Sequence, residues 1–400
     1  MSEVLLRSVR PWGGTECDMR IRDGRIVEMA RGLTPGTDAE EIDAAGCMAL
    51  PGLVNAHTHM DKTLWGTAWH PHRAGPSVMD KITYERRVLK TLGLSAQTQS
   101  ARLARHLVAC GTTHVRTHVD IGPDVGLDNF HGVQRMRGSH RDVLDIEIVA
   151  FPQTGVMIQP GTLDLLQQAV SEGAEVVGGI DPIGLDHDPK GQLDGIFAIA
   201  SQHGIGIDVH LHDRGEMGAV TIEMIVERTR ALGLAGKVTV SHAFCLASVD
   251  PARRDQLVDM LVEQDIAIMT HGPGGGTPAP PVRLLHERGV RVFAGTDGVC
   301  DAWGPLNGGD MLERAYLVAY VNGLRDDPGI ELALNMVTWA GAQVMGIKDY
   351  GLEPGCAADL VVVEAETAAE AVVSHPVRRL VIKHGNVVAR DGRCLLPPVD

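Results

Sequence analysis

The chain has no apolar run approaching the roughly 20 residues needed to cross a bilayer. Its first residues, Met-Ser-Glu-Val-Leu-Leu-Arg, lack the apolar segment of a secretory signal. No membrane partner is expected, and the cytoplasm is the default location. Paired cysteines are also missing. Cys17, Cys47, Cys110, Cys245, Cys300, Cys356 and Cys394 are scattered, odd in number and without a CxxC pair. That spacing suggests neither a disulfide framework nor a thiolate zinc site. Low-complexity tracts, sustained heptads and sequence repeats are absent too. Net positive charge is lacking: the formal charge is −15, which argues against nucleic acid or anionic membrane as a bulk partner. What the chain does have is histidine, 18 in 400 residues, and the position of each carries the argument.

The two ends of the chain read alike. Residues 1–50 hold short strands around turns such as Asp23-Gly24, and residues 351–400 repeat the style in Asp359–Val363, Arg379–Lys383 and the turn His384-Gly385-Asn386. A small β-sandwich domain built from residues 1–50 and 351–400 is expected. Pro51-Gly52 and Gly351 to Gly355 mark its borders with residues 51–350. Between those borders, short β-branched runs alternate with amphipathic stretches. Eight runs are expected as strands: Leu53–His59, Thr113–Asp120, Asp145–Gln153, Glu175–Asp181, Gly206–His212, Val238–Phe244, Ile266–His271 and Arg291–Asp297. That alternation is the count for an α/β fold of the (β/α)8 TIM-barrel type. Each run ends in a residue foreign to a core: His57 and His59, His118 and Asp120, Gln153, Asp181, His210 and His212, His242, His271, Asp297. The C-terminal strand ends are the active-site face of such a barrel.

His57 and His59 stand at i and i+2 on one strand, so both imidazoles face one side. With His210 on the fifth strand and Asp297 on the eighth, three nitrogens and one carboxylate make a candidate set for one divalent ion, zinc or ferrous iron. An ion there lowers the pKa of a bound water to roughly 7, and Asp297 is a candidate to pass that proton to a leaving nitrogen. His242 is open between a fifth ligand, a water-orienting electrophile and a core histidine; the second is favoured. Lys62 is placed to hold an anionic ring oxygen or to pair with Asp181. His212 shares the face of His210 and is a candidate proton shuttle. Asp213 and Glu216 are competing acid/base or substrate-contacting groups, Glu216 more as the cap of a helix starting near Gly218. Gln153 offers an acceptor and a donor to a ring amide. His118, Asp120 and His271 are divided between supporting the site and lining a pocket. Gly272–Gly276 lacks the ending of a phosphate loop and is read as a flexible connection.

These motifs, with Asn335 to Gly346 and Gly351 to Val361, resemble the amidohydrolase superfamily along nearly the whole chain. Within it, Ala56–Thr63, Arg116–Asp120, Val149–Gln153 and Ser241-His242 are similar to the cytosine deaminase branch. The nearest pattern is that of the N-isopropylammelide amidohydrolases, on Val177–Pro182, His210–Asp213 and Asn307–Met311. The resemblance implies that His57, His59, His210 and Asp297 bind the metal. It also implies that Lys62, Asp181, His212 and His242 carry catalysis and substrate contacts, and that Gln153 holds a heterocycle. Binuclear members carry a bridging lysine on the fourth strand; Val176–Asp181 has none, so one ion is implied. Two departures stand out. Asp213 replaces a glutamate of the cytosine deaminases, and Gly298 replaces the acid that follows their metal aspartate. The expected function is hydrolytic removal of ammonia or an amine from a pyrimidine- or triazine-type heterocycle, in a homo-oligomer as the superfamily implies. A hydantoinase-like hydrolase of cyclic amides is the alternative, and a non-catalytic ligand-binding barrel the remote one.

Overall fold

Parallel pairing of the eight apolar runs builds the centre of the molecule, seen in a computed structural model that describes residues 3–399. The barrel strands are Leu53–His59, Thr112–Asp120, Asp145–Phe151, Val176–Ile180, Gly206–His210, Val238–Ser241, Ala267–Thr270 and Val292–Ala294, each beside the next. A ninth short segment, Asp297–Gly298, pairs in parallel with Thr58 and His59 of the first strand and closes the ring. The expected eighth strand, Arg291–Asp297, is therefore broken in two. Its break has a steric cause. A Cβ at Gly295 would overlap the backbone of His57, so the chain passes there with no side chain and turns, leaving Asp297 at φ +60°. Asn55 holds the bend by donating to Thr296 Oγ1 at 2.8 Å and accepting from its backbone N–H at 3.0 Å.

The strands are shorter at their C-terminal ends than the apolar pattern suggests. Gln153, Asp181, His212, His242 and His271 lie just beyond the last paired residues. Asp181 at φ +31° and His242 at φ +71° show why: the backbone leaves the ladder to aim these side chains, and strain of that kind gathers at functional sites.

The second sheet system takes strands from both termini. Its order runs Arg393–Cys394, Asn386–Arg390, Arg378–Lys383, Leu360–Val363, Met48–Pro51, Glu3–Pro11, Cys17–Arg22, Arg25–Ala30, with Glu40–Asp43 also on Glu3–Pro11. Glu3–Pro11 shifts register between Leu6 and Val9, so its first half pairs with Cys17–Arg22 and its last residues with Met48 and Ala49. One strand thus serves both layers through a bulge. Lys383, fully buried, ties this unit to the barrel. Its Nζ reaches Asp359 at 2.6 Å within the sandwich and Asp145 at 2.7 Å at the start of the third barrel strand. Among the described residues, no helix is long and apolar enough to cross a membrane.

Candidate metal centre and substrate cavity

Four of the strand-end side chains meet. One ligand atom each from His57, His59, His210 and Asp297 lies within 4.8 Å of the others. Asp297 Oδ1 is 3.3 Å from His59 Nε2 and 3.7 Å from His57 Nε2, and His59 Nε2 is 3.4 Å from His210 Nε2. Burial pushes the His57 and His210 imidazoles below their ordinary range, so both are neutral. Burial alone would raise the Asp297 carboxyl, but His57 and His59 hold it well below the usual carboxylate range.

The tautomer of His57 follows from its neighbours. Asp208 is a buried carboxylate; desolvation would raise it, and His118 beside it helps lower it to about 2. It accepts from Ser241 Oγ at 2.6 Å. Having donated there, Ser241 Oγ accepts from His57 Nδ1–H at 3.1 Å. That leaves the lone pair of His57 on Nε2, which is buried, has no hydrogen-bond partner and faces the other three groups. An orphaned buried nitrogen aimed at two more imidazoles and a carboxylate is what a divalent ion fits.

Above these four groups opens a cavity of about 890 Å³, lined among others by His59, His210, Asp297, His212, Lys62 and Gln153. His212 Nδ1 is 2.7 Å from Asp181 Oδ2, and Asp181 Oδ1 accepts from the His212 backbone at 2.6 Å. Burial depresses the imidazole, yet the Asp181 charge outweighs it and holds His212 above its ordinary value. His242 stacks on His212 at 4.5 Å between ring centroids and lies 3.2 Å, Nδ1 to Nδ1, from His271. Both are neutral, burial being the main cause; His271 falls to about 4.

The expected ion pair of Lys62 with Asp181 is not formed. Asp181 is taken by His212, and Lys62 turns instead to Gln153 Oε1 at 2.7 Å, Asp120 at 3.2 Å and Glu85 at 3.5 Å. Asp120 is further neutralised by Arg86 at 2.7 Å. Glu85 and Arg86 sit on the helix Val78–Leu92, between the first and second barrel strands. Because Lys62 takes the oxygen of Gln153, the amide nitrogen is left buried without a partner. Gln153 therefore offers a donor.

Glu85 allows a test of this cluster. Burial pushes its carboxyl up to about 8, so between roughly pH 4.3 and 8 the folded chain keeps a proton that the unfolded chain releases. Stability contributed by that proton falls as pH rises through the window. Glu85→Gln is expected to stabilise the protein by about 1–3 kcal/mol at pH 8, with the advantage shrinking toward pH 5. Urea unfolding at both pH values checks this; an equal difference at the two would contradict it.

Other candidates are dispersed. His118 is buried beneath His57, 4.1 Å between rings, and 3.5 Å from Asp208. Asp213 does not line the cavity; it accepts from the Gly184 backbone at 2.9 Å. Glu216 is not the cap of a helix near Gly218: that helix spans Gly215–Leu232 without a side-chain cap, and Glu216 pairs with Arg253 at 3.2 Å. Sequence reasoning missed Asp208, although its place two residues before His210 puts it on the same face. It also missed Asp301, whose carboxylate fills the space that a side chain at Gly298 would take. Asp301 lines the cavity and is fixed by the backbone N–H groups of Trp303 and Gly304 at 2.9 and 3.1 Å.

A family model, described as "Amidohydrolase family", matches residues 83–389. The chain belongs to the amidohydrolase family. This family is metal-dependent, and the His/Asp cluster is the candidate site in this member. Like other amidohydrolases compared with it, the chain aligns over nearly its full length. It is 30% identical over 382 residues to the N-isopropylammelide isopropyl amidohydrolase of Pseudomonas sp. (strain ADP), covering 94% of each chain. The solved N-isopropylammelide isopropylaminohydrolase from Burkholderia multivorans superposes with a TM-score of 0.95 at 44% identity, over 99% of this chain and 100% of that one. The 5-methylcytosine deaminase from Klebsiella pneumoniae bound to 5-fluorocytosine gives 0.86 at 25% identity, over 97% of both. As an amidohydrolase, the chain is a hydrolase of carbon–nitrogen bonds other than peptides.

Proposed function

We propose that this amidohydrolase holds one divalent ion, zinc or ferrous iron, and removes ammonia or an amine from an oxo- or amino-substituted pyrimidine or triazine. The observation that carries the reading is the convergence of three Nε2 atoms and one carboxylate oxygen at a cavity whose other groups are placed to hold a polar ring. Bound by His57, His59, His210 and Asp297, the ion supplies a Lewis acid that brings a water to a pKa near 7. The fourth strand, Val176–Ile180, offers no lysine to bridge a second ion.

The chain's own groups then divide the work. Asp297 accepts a proton from the attacking water and returns it to the departing nitrogen. His242, held by His271, orients that water. His212, held by Asp181, is the relay through which that same proton passes on the leaving-group side. Lys62 and the amide nitrogen of Gln153 both donate, so they read an oxo group or ring-nitrogen acceptor on the substrate. In sum, water oxygen bonds to a ring carbon, the exocyclic C–N bond breaks, and the amine departs with the proton. The relatives named for N-isopropylammelide and 5-methylcytosine support this substrate class.

An amine-release screen over amino- and alkylamino-substituted triazines and pyrimidines, with zinc- and iron-loaded protein, tests the proposal. Release of ammonia or amine is expected from at least one ring. A product heavier by one water with all nitrogen retained would instead mark ring opening and overturn it.

A further inference from the structure

Among the described residues, five lysine and arginine side chains are buried: Lys62, Lys383, Arg116, Arg314 and Arg378. Four of them meet carboxylates. Lys62 has Asp120, Lys383 has Asp359, Arg116 has Glu147 and Arg378 has Asp310. Arg314 has no ion-pair partner among the described residues. It is 5% exposed, its Nη1 donates to the His271 carbonyl, and its Nε is buried with no acceptor. Burial lowers it to about 10, and the charges of Asp297 and Glu313, neither of them in contact with it, offset that only in part. A buried charge with no carboxylate in contact destabilises the fold, so its place needs a reason.

That place is the wall of the cavity, on the helix Met311–Val321, which also contributes Leu317, Tyr320 and Val321 to the lining. Lys62 and Gln153 reach the same cavity from the first and third strands. At about 890 Å³ the space exceeds what one six-membered ring fills. Its charge is also set against that of the chain. Lys62, Lys81, Arg214 and Arg314 line it against the acids Asp297 and Asp301, in a protein of net charge −15.

We infer that Arg314 is a carboxylate subsite: the substrate carries a carboxyl group on its nitrogen substituent, and the guanidinium holds it while Lys62 and Gln153 hold the ring. This rests on the proposed removal of an amine from a heterocycle, and it narrows that class to rings whose leaving amine is an amino acid or another carboxyalkylamine. A planar guanidinium with N–H groups to spare matches a carboxylate in shape and charge. Reaction stoichiometry is unchanged, since the carboxylate is held and not transformed.

The test pairs two oxo-triazines, one with an N-propyl and one with an N-(2-carboxyethyl) substituent, on metal-loaded wild type, Arg314→Gln and Arg314→Lys. Amine release gives kcat and KM, and calorimetry gives binding whether or not turnover occurs. Wild type is expected to favour the carboxyethyl compound about 10- to 100-fold in kcat/KM and in affinity. Arg314→Gln should lose that preference, read as the ratio of kcat/KM and of affinity between the two compounds whatever its effect on turnover common to both, and Arg314→Lys should recover part of it. Turnover of both compounds with no preference, or an equal loss on both in Arg314→Gln, overturns the subsite and leaves the reaction standing. Binding preference that depends on Arg314 without amine release upholds the subsite and overturns the reaction.

Discussion

Asp297→Asn is expected to lower kcat about 10²- to 10⁴-fold while the protein stays folded and keeps its metal. The fold should survive because the contacts that close the barrel here use backbone atoms: Thr58 Oγ1 donates to the Asp297 carbonyl at 3.0 Å, and Asp297 pairs with Thr58 across the ring. The strained φ of +60° is one that asparagine tolerates as well as aspartate. Asparagine still presents an oxygen toward His57 and His59. What it cannot do is take up a proton. The variant therefore separates the two duties proposed for this residue, and Asp297→Ala should lose both the metal and the activity. Kinetics of amine release together with metal content would decide; a kcat within tenfold of wild type would mean that another group moves the proton.

Lys62→Met is the second large effect, and it acts on stability and turnover at once. Removing Nζ strips the buried Asp120 carboxylate of one of its two cations and leaves only Arg86. Breaking a buried pair in this way costs about 3–5 kcal/mol. Gln153 also loses the contact that fixes its oxygen at 2.7 Å, so its amide is free to turn and no longer presents a donor to the ring. A fall of about 10²-fold or more in kcat/KM is expected from the lost hydrogen bonds. The double variant Lys62→Met, Asp120→Asn keeps the test informative if the single one unfolds, since Arg86 retains Asp124 at 2.8 Å. It should regain much of the stability, because one buried carboxylate is gone, and none of the activity. Recovery of activity in the double variant would show that Lys62 merely balances charge.

The contrast between Lys62 and His57 shows what a sequence makes legible. His57, His59, His210 and Asp297 follow from strand periodicity and from the rule that a barrel's chemistry sits at strand C-termini; no partner had to be identified to place them. Lys62 was placed one turn beyond His59, to hold a ring oxygen or to pair with Asp181, and of these the pair with Asp181 is not formed. Glu85 and Arg86 lie on the helix Val78–Leu92, which the sequence pattern did not define, and that helix packs its acidic residue inward. Asp208 was within reach, two residues before His210. Asp301 was not, because its position depends on a turn that lets its carboxylate fill the space vacated at Gly298. Arg314 was equally out of reach, since a helix's charged residue normally faces water, and only the packing of Met311–Val321 against the cavity turns it inward. Residues held by strand geometry were legible; residues placed by loops and helix packing were not.

Metal analysis of the purified chain, wild type beside His210→Ala, tests the central claim most directly. The arrangement of His57, His59, His210 and Asp297 predicts one zinc or iron per wild-type chain, with amine release lost on chelation and restored by either ion, and a near-empty, inactive His210→Ala. Full activity in chelated wild type, or an undiminished metal content in His210→Ala, would contradict it.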